Sequence, residues 1–289
     1  MTLRSNSGEA PSDHPPVPLP TASAGTERIE AAFQAAKDEG RAALMPYMMA
    51  GYPDRETSLA VAEAYVNAGA DLVELGVPFS DPLADGPVIH AAATAALASG
   101  ATLESSLDVC ESISDRVPVV LMVYANMVLA HGGATGFARR ALAAGAAGAI
   151  VPDLPLGEAE DVRDAFADAG LALVPLVAPT TPAERLARIC AVAKGFVYVV
   201  STVGTTGERE EVPAALADLV AVTKAEATVP VAVGFGIGTP AQAAEVGRIA
   251  DGVIIGSRLV RAAGEADDPE AAAEAVSDFL RETRVALAG

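Results

Sequence analysis

Tryptophan is absent from this chain of 289 residues, and aromatic residues together make up only 4% of it. A core of this size must be filled by Ala, Val, Leu and Ile, which suits a parallel sheet covered by helices. Cations are scarce: 19 Lys and Arg stand against 38 Asp and Glu, a formal net charge of −19. So acidic a surface repels nucleic acid and anionic membrane. Any phosphorylated ligand must be captured locally, and backbone amides are the means at hand. The two cysteines, Cys110 and Cys190, lie far apart in helix-like segments. They provide no disulfide framework and read as buried thiols in a reducing compartment. No apolar run approaches the roughly 18 residues that a membrane span needs. No positively charged, apolar signal segment opens the chain, and a cytoplasmic protein is expected.

What is present is a regular alternation. Residues 1–24 are rich in Pro, Ser and Asp without periodicity and read as a disordered tail. Residues 25–289 read as one domain. An opening helix is expected over about Thr26–Glu39, ended by Gly40. Eight short apolar segments bounded by Gly, Pro or Asp then read as strands: Ala43–Ala50, Leu72–Val77, Val119–Tyr124, Gly148–Val151, Ala172–Val177, Phe196–Ser201, Val231–Gly234 and Gly252–Ile255. Amphipathic stretches separate them, and Gly69, Gly145 and Gly170 each fall just after a helix and just before a strand. Glycine there permits the left-handed turn that ends a helix. Helix, glycine turn and buried strand, repeated eight times in about 260 residues, predict an α/β fold closed into a (β/α)8 barrel. The long stretch between the second and third strands leaves room for two helices, about Val88–Ser99 and Leu103–Asp115.

The second strand carries a carboxylate. Alternation along Leu72-Val73-Glu74-Leu75-Gly76 puts Glu74 on one face with Leu72 and Gly76. Both faces of a barrel strand are apolar, so Glu74 is costly to bury wherever it points. It lies near the strand's C-terminal end, the catalytic rim of this fold. An apolar setting should raise its pKa, as suits a group that gives and takes a proton near neutrality. The alternative is a buried structural glutamate satisfied by backbone or water. Asp85 follows eleven residues later, after a loop restricted by Pro78, Pro82 and Pro87. Asp81 lies in the same loop. Capping or turn formation is the competing role for both.

Glycines cluster where the last three strands end, in Gly204-Thr205-Thr206-Gly207, Gly234-Phe235-Gly236-Ile237-Gly238 and Gly256-Ser257. Barrels often hold phosphate with the loops after the seventh and eighth strands and a short helix N-terminus. Plain strand-to-helix turns are the alternative. Only three lysines exist. Lys37 is in the opening helix, Lys194 precedes the sixth strand at the wrong end of the barrel, and Lys224 is in a later helix. A lysine Schiff base and covalent pyridoxal phosphate on this chain are thereby disfavoured. His14 falls in the tail, and His90 and His131 stand singly, without the clusters of a catalytic metal. No metal is expected. Acid–base chemistry by carboxylates on a phosphate-bearing substrate remains.

The run Pro78-Phe79-Ser80-Asp81-Pro82-Leu83-Ala84-Asp85-Gly86-Pro87, preceded by Glu74-Leu75-Gly76, resembles the signature of the tryptophan synthase alpha chain family. So do Tyr124-Ala125-Asn126, Pro152-Asp153-Leu154-Pro155, Gly204–Gly207 and Gly234–Ile237. The likeness runs from about Met45 to Val260. It implies retro-aldol cleavage of indole-3-glycerol phosphate to indole and glyceraldehyde 3-phosphate, with Glu74 and Asp85 as the catalytic pair. Glu74 would protonate the indole carbon that carries the side chain, and Asp85 would hold the indole N–H. Tyr198 resembles the family's active-site tyrosine. Tyr47, Met122, Tyr124 and Ile150 would line the indole pocket. Gly207, Gly234, Phe235, Gly236, Gly256 and Ser257 would hold the phosphate. The Gly204–Gly207 loop would act as a lid, with Thr206 meeting Asp85. Thr205 departs from the aliphatic residue of many relatives. The family pairs two alpha with two beta subunits, and the beta subunit carries the pyridoxal phosphate. The Asp81 loop and Asn126 would face that partner. A catalytically idle barrel that only activates a beta subunit is the alternative. Other phosphosugar barrels would want strand-end metal-binding histidines (epimerases) or a catalytic lysine (indole-glycerol phosphate synthase), and neither is present.

Overall fold

The strand-forming segments pair only in parallel, in the order β5-β4-β3-β2-β1-β9-β8-β7-β6. They are β1 (Ala43–Met49), β2 (Val73–Gly76), β3 (Val119–Met122), β4 (Gly148–Ile150), β5 (Ala172–Val174), β6 (Leu176–Val177), β7 (Val197–Val200), β8 (Val231–Gly234) and β9 (Gly252–Ile255). The computed structural model describes residues 24–130, 132–200, 214–234 and 236–289. The tail read over residues 1–23, His131, the loop 201–213 with Thr206 and Gly207, and Phe235 lie outside the described residues. Ala24, taken with that tail, instead begins the opening helix, Ala24–Asp38.

Eight strand positions become nine because the fifth expected strand is broken at Pro175. Proline has no N–H to give to a ladder. β5 therefore pairs with β4, and β6 with β7. The Tyr198 N–H donates to the Pro175 carbonyl at 3.0 Å and carries the hydrogen bonding across the break. The barrel is nearly closed. Gly69, Gly145 and Gly170 take φ of 85°, 76° and 70°, as their joints require. The long connection holds two helices, Pro87–Ala98 and Leu103–Ile113. A short helix, Ala125–Leu129, follows β3 and has no counterpart in the sequence reading.

Alternation sorts the strand residues into two cores. Leu44, Val73, Leu75, Leu121, Val199 and Val233 face the helices. Met45, Leu72, Val120, Ile150, Val174, Phe196 and Ile254 fill the inside of the barrel. The opening helix closes the N-terminal end: Ile29, Phe33 and Ala36 belong to the inner core, and the Phe33 ring lies 5.7 Å from that of Phe196. Arg28 fastens the helix by donating to the carbonyls of Gly145 at 3.0 Å, Val117 at 3.1 Å and Ser114.

Charge is also spent at this end. Arg41, buried, donates from Nη1 to Asp71 Oδ2 at 2.5 Å and from Nη2 to Asp71 Oδ1 at 2.8 Å. Asp71 also accepts the Leu44 N–H at 2.7 Å, so one pair ties the starts of β1 and β2. Glu39 bridges Arg41 to Arg284 of the C-terminal helix, with both contacts at 2.8 Å. A cavity of about 970 Å³ lies beside this network, lined by Lys37, Arg41, Lys224 and Arg248. In barrels of this kind the N-terminal face serves stability and the opposite face serves chemistry.

Candidate active site

At the C-terminal end of the barrel, one cavity gathers residues from six strand ends: Tyr47 of β1, Glu74 of β2, Met122 of β3, Tyr198 of β7, Gly234 of β8 and Ile254 of β9. Ala84, Asp85 and Ile89 close it on one side, and Gly236, Gly256 and Ser257 on another. Glu74 follows Leu72 on the inward face, as alternation requires, and pairs in register with Tyr47. It is only 2% exposed, and its Oε2 has no hydrogen-bond partner among the described residues. A buried polar oxygen left unpaired costs about 1–3 kcal/mol, so its presence needs a reason that packing does not give. Burial pushes the Glu74 carboxyl up to about 8, and the Asp85 charge adds to the rise. Glu74 is therefore a protonated acid at neutral pH.

Asp85 is positioned differently. The loop after β2 runs back to Gly86, from which the helix Pro87–Ala98 starts with proline in its first turn. The Tyr124 hydroxyl donates to Asp85 Oδ1 at 2.9 Å and accepts the Ala84 N–H at 3.1 Å. Partial burial raises the Asp85 pKa, while the Tyr124 hydrogen bond and the nearby His90 oppose the rise. The two carboxyls thus have environments that separate them: Glu74 is dry and unpaired, while Asp85 is hydrogen-bonded in a form that favours its charge.

Tyr124 stands just outside the cavity, behind Asp85, and its ring stacks on Phe79 with centroids 5.0 Å apart. The Asp153 carboxylate accepts the Ala125 N–H at 2.8 Å and so fixes the short helix that Tyr124 precedes. That tie was not visible in the Pro152–Pro155 motif alone. Ile150, read as a pocket wall, is fully buried in the inner core. It ends β4 and pairs in register with Met122 of β3, and of the two Met122 lines the cavity. Ile89 and Ile254 line the cavity although the sequence reading passed over them. Both were findable, Ile89 as the first buried position of its helix and Ile254 from the alternation of β9.

Two glycines make room for two phenols. A Cβ on Gly76 would collide with the Tyr47 hydroxyl, and a Cβ on Gly234 with that of Tyr198. Gly236 takes φ of 75°, a conformation that favours glycine. Gly256 precedes the helix Ser257–Glu265, and the Ser257 and Arg258 N–H groups come before its first backbone bonds, from Leu259 and Val260 to the Gly256 carbonyl. Gly234, Gly236, Gly256 and buried Ser257 thereby converge on one wall of the cavity, where amides and a helix N-terminus suit an anion. The structure brings together Glu74, Asp85, Tyr47, Met122, Tyr198 and these four cradle residues. Gly207, Thr206 and Phe235 lie outside the described residues. Lys37 and Lys224 line the cavity at the other end of the barrel, and Lys194 precedes β7 there.

Comparison with known proteins agrees with this geometry. The family model described as tryptophan synthase alpha chain matches residues 33–287. A tryptophan synthase alpha chain from Prochlorococcus marinus (strain MIT 9313) is 48% identical over 261 residues, covering 89% of this chain and 94% of that protein. One from Roseiflexus castenholzii is 46% identical over 257 residues, covering 88% and 98%. Among solved structures, Mycobacterium tuberculosis tryptophan synthase superposes with a TM-score of 0.84 at 39% identity, covering 90% of this chain and 98% of that one. The alpha subunit from Legionella pneumophila gives 0.79 at 36% identity, covering 90% and 98%. Arrived at from the carboxylates and from the relatives alike, the conclusion is that this chain belongs to the tryptophan synthase alpha chain family.

Proposed function

We propose that this enzyme cleaves indole-3-glycerol phosphate to indole and glyceraldehyde 3-phosphate with Glu74 and Asp85 as its acid–base pair. The observation that carries the reading is Glu74 itself: a buried carboxyl with an unpaired oxygen, held protonated at neutrality, facing the same cavity as a second carboxyl and an amide-rich wall. The phosphate docks against Gly234, Gly236, Gly256 and Ser257, with Gly207 and Phe235 as further contacts. The indole ring lies between Glu74 and Asp85, against Met122 and Tyr198.

Glu74 gives its proton to the ring carbon that bears the side chain. The ring becomes a cation, and Asp85 stabilises it by accepting a hydrogen bond from the ring N–H. The bond from the ring to the side chain then breaks. Its electron pair returns to the ring, the side-chain hydroxyl becomes the aldehyde, and its proton passes to the Glu74 carboxylate. Each turnover returns Glu74 to its starting state. The family resemblance assigns the exclusion of water during the step to the Gly204–Gly207 segment, which lies outside the described residues.

The chain works beside a beta subunit, in a complex of two alpha and two beta. That partner carries pyridoxal phosphate and consumes the indole, and the Asp81 loop and Asn126 face it. Exposure of Leu83 in that loop supports the placement. The cytoplasm is the compartment this assignment calls for. The test is to give indole-3-glycerol phosphate to the isolated chain and to its Glu74→Gln variant and measure indole. Release by the parent and none by the variant is expected. A variant that still cleaves removes Glu74 from the role, and a parent that activates a beta subunit without releasing indole returns the idle barrel.

A further inference from the structure

Tyr47 was expected as part of an apolar wall, yet its polar end faces the chemistry. The side chain starts on β1 in register with Glu74 of β2. Its hydroxyl lies over the inward side of Gly76, where a Cβ would strike it. Gly76 is two residues beyond Glu74 toward the rim, a rise of about 6.6 Å along the strand. The phenol therefore leans past the Glu74 carboxyl into the mouth of the slot, in the cavity that also receives Asp85. The residue is buried, at 6% exposure.

The hydroxyl makes no hydrogen bond to any described residue. Two other buried or half-buried tyrosines have hydroxyls bound within the protein. Tyr65 donates to the Tyr47 carbonyl at 2.9 Å, and Tyr124 is bound to Asp85 and Ala84. A phenol end with no partner among the described residues, on the wall of the cavity, is free to donate to a ligand. Phenylalanine would fill the same space, and Gly76 would have no hydroxyl to accommodate. Tyr198 over Gly234 repeats the arrangement from the other side, but it feels Glu74 alone, whereas Tyr47 feels both Asp85 and Glu74. Burial and those two carboxyls keep the Tyr47 proton in place, so the group is a donor.

We propose that Tyr47 is a substrate-contacting residue of the cleavage, its hydroxyl donating a hydrogen bond to the oxygen on the carbon attached to the indole ring. This rests on the roles given above to Glu74 and Asp85. When the carbon–carbon bond breaks, that oxygen yields its proton to the Glu74 carboxylate and becomes the aldehyde oxygen. Negative charge builds on it during the transfer. A neutral phenol fixed at that spot stabilises the charge and keeps its own proton throughout. The position over Gly76 also turns the oxygen toward Glu74, which has to receive the proton.

The test uses the full chain with Tyr47→Phe, with Glu74→Gln measured beside it. Indole release from indole-3-glycerol phosphate is followed across pH, and indole binding is measured by equilibrium dialysis. The expected result is a kcat plateau lower by about 10- to 100-fold, with indole affinity within about two-fold of the parent and the ionisation of Glu74 at its parent position. A kcat unchanged in Tyr47→Phe overturns the proposal. A rate loss accompanied by weaker indole binding or a displaced ionisation also overturns it, since Tyr47 would then be a wall or a prop for Glu74. An inactive Glu74→Gln beside a normal Tyr47→Phe sinks the Tyr47 role alone. An active Glu74→Gln sinks both.

Discussion

Tyr124 Oη holds two consecutive residues of the loop after β2, donating to Asp85 Oδ1 at 2.9 Å and accepting the Ala84 N–H at 3.1 Å. A loop with three prolines is already restricted, and this hydroxyl fixes its last turn against the end of β3. Tyr124→Phe keeps the stack on Phe79 and removes both bonds. The expected effect is a loss of about 10-fold in kcat/KM, the worth of one hydrogen bond to a charged acceptor. Steady-state assay of indole release measures it, and a rate within about two-fold of the parent would show that Asp85 is placed by the prolines alone.

Asp85→Asn keeps the shape of the side chain and can still accept from Tyr124, but it loses the negative charge that faces the ring cation. A fall in kcat of about 100-fold or more is expected, comparable with removal of a preorganised electrostatic group, with substrate affinity little changed. Single-turnover measurement separates the two quantities. A near-parental kcat would mean that the developing charge is balanced elsewhere.

Glu74 ties function to stability. Its folded-state pKa of about 8 lies above its ordinary value of 4.5, so the folded chain holds the proton more tightly than the unfolded chain does. The contribution is complete below 4.5, and each pH unit between there and about 8 removes about 1.4 kcal/mol. Glu74→Gln has no proton to lose. Denaturant titrations of parent and variant should therefore diverge as pH rises from 5 to 8, with the variant gaining. Parallel curves would show that Glu74 is ionised in the folded state.

The opposite end of the barrel predicts stability without activity. Arg41 has a side-chain exposure of 2% and is the nearer of two partners of Asp71, with Arg284 at 3.6 Å. Arg41→Ala leaves Asp71 and Glu39 with Arg284 alone and should destabilise the fold by about 3 kcal/mol, the lower end of the cost of breaking a buried pair. Urea denaturation reads the loss. Below the melting transition, kcat should match the parent, and a selective fall in kcat in a stably folded variant would connect this face to the site.

The sequence was most legible where one rule acts alone. Period-two alternation put Glu74 on one face with Leu72 and Gly76, which the barrel turns inward, and glycine conformation placed the joints at Gly69, Gly145 and Gly170. It was less legible where two rules compete. Ala172–Val177 reads as one apolar strand, yet Pro175 interrupts its ladder. Ile150 has the character of a pocket wall and pairs with Met122, yet its side chain is fully buried in the inner core. The Tyr124–Asp85 bond spans 39 positions, and nothing local to either residue announces it. The closeness of Tyr47 to Gly76 depends on strand register, which only the closed barrel sets.

The break at Pro175 gives the cylinder a seam. There β5 is laced to β4 and β6 to β7, and the two halves meet through the chain at Pro175 and the Tyr198 N–H that its carbonyl accepts, whereas the hoop elsewhere is laced strand to strand. β1 and β2, which bear Tyr47 and Glu74, lie at or next to the middle of the laced arc, as far from the seam as the hoop allows. The proton donor thus stands on a strand laced on both sides. Tyr198 stands at the seam itself, on the strand whose amide ties it, so the two phenols that flank the slot hang from opposite parts of the hoop.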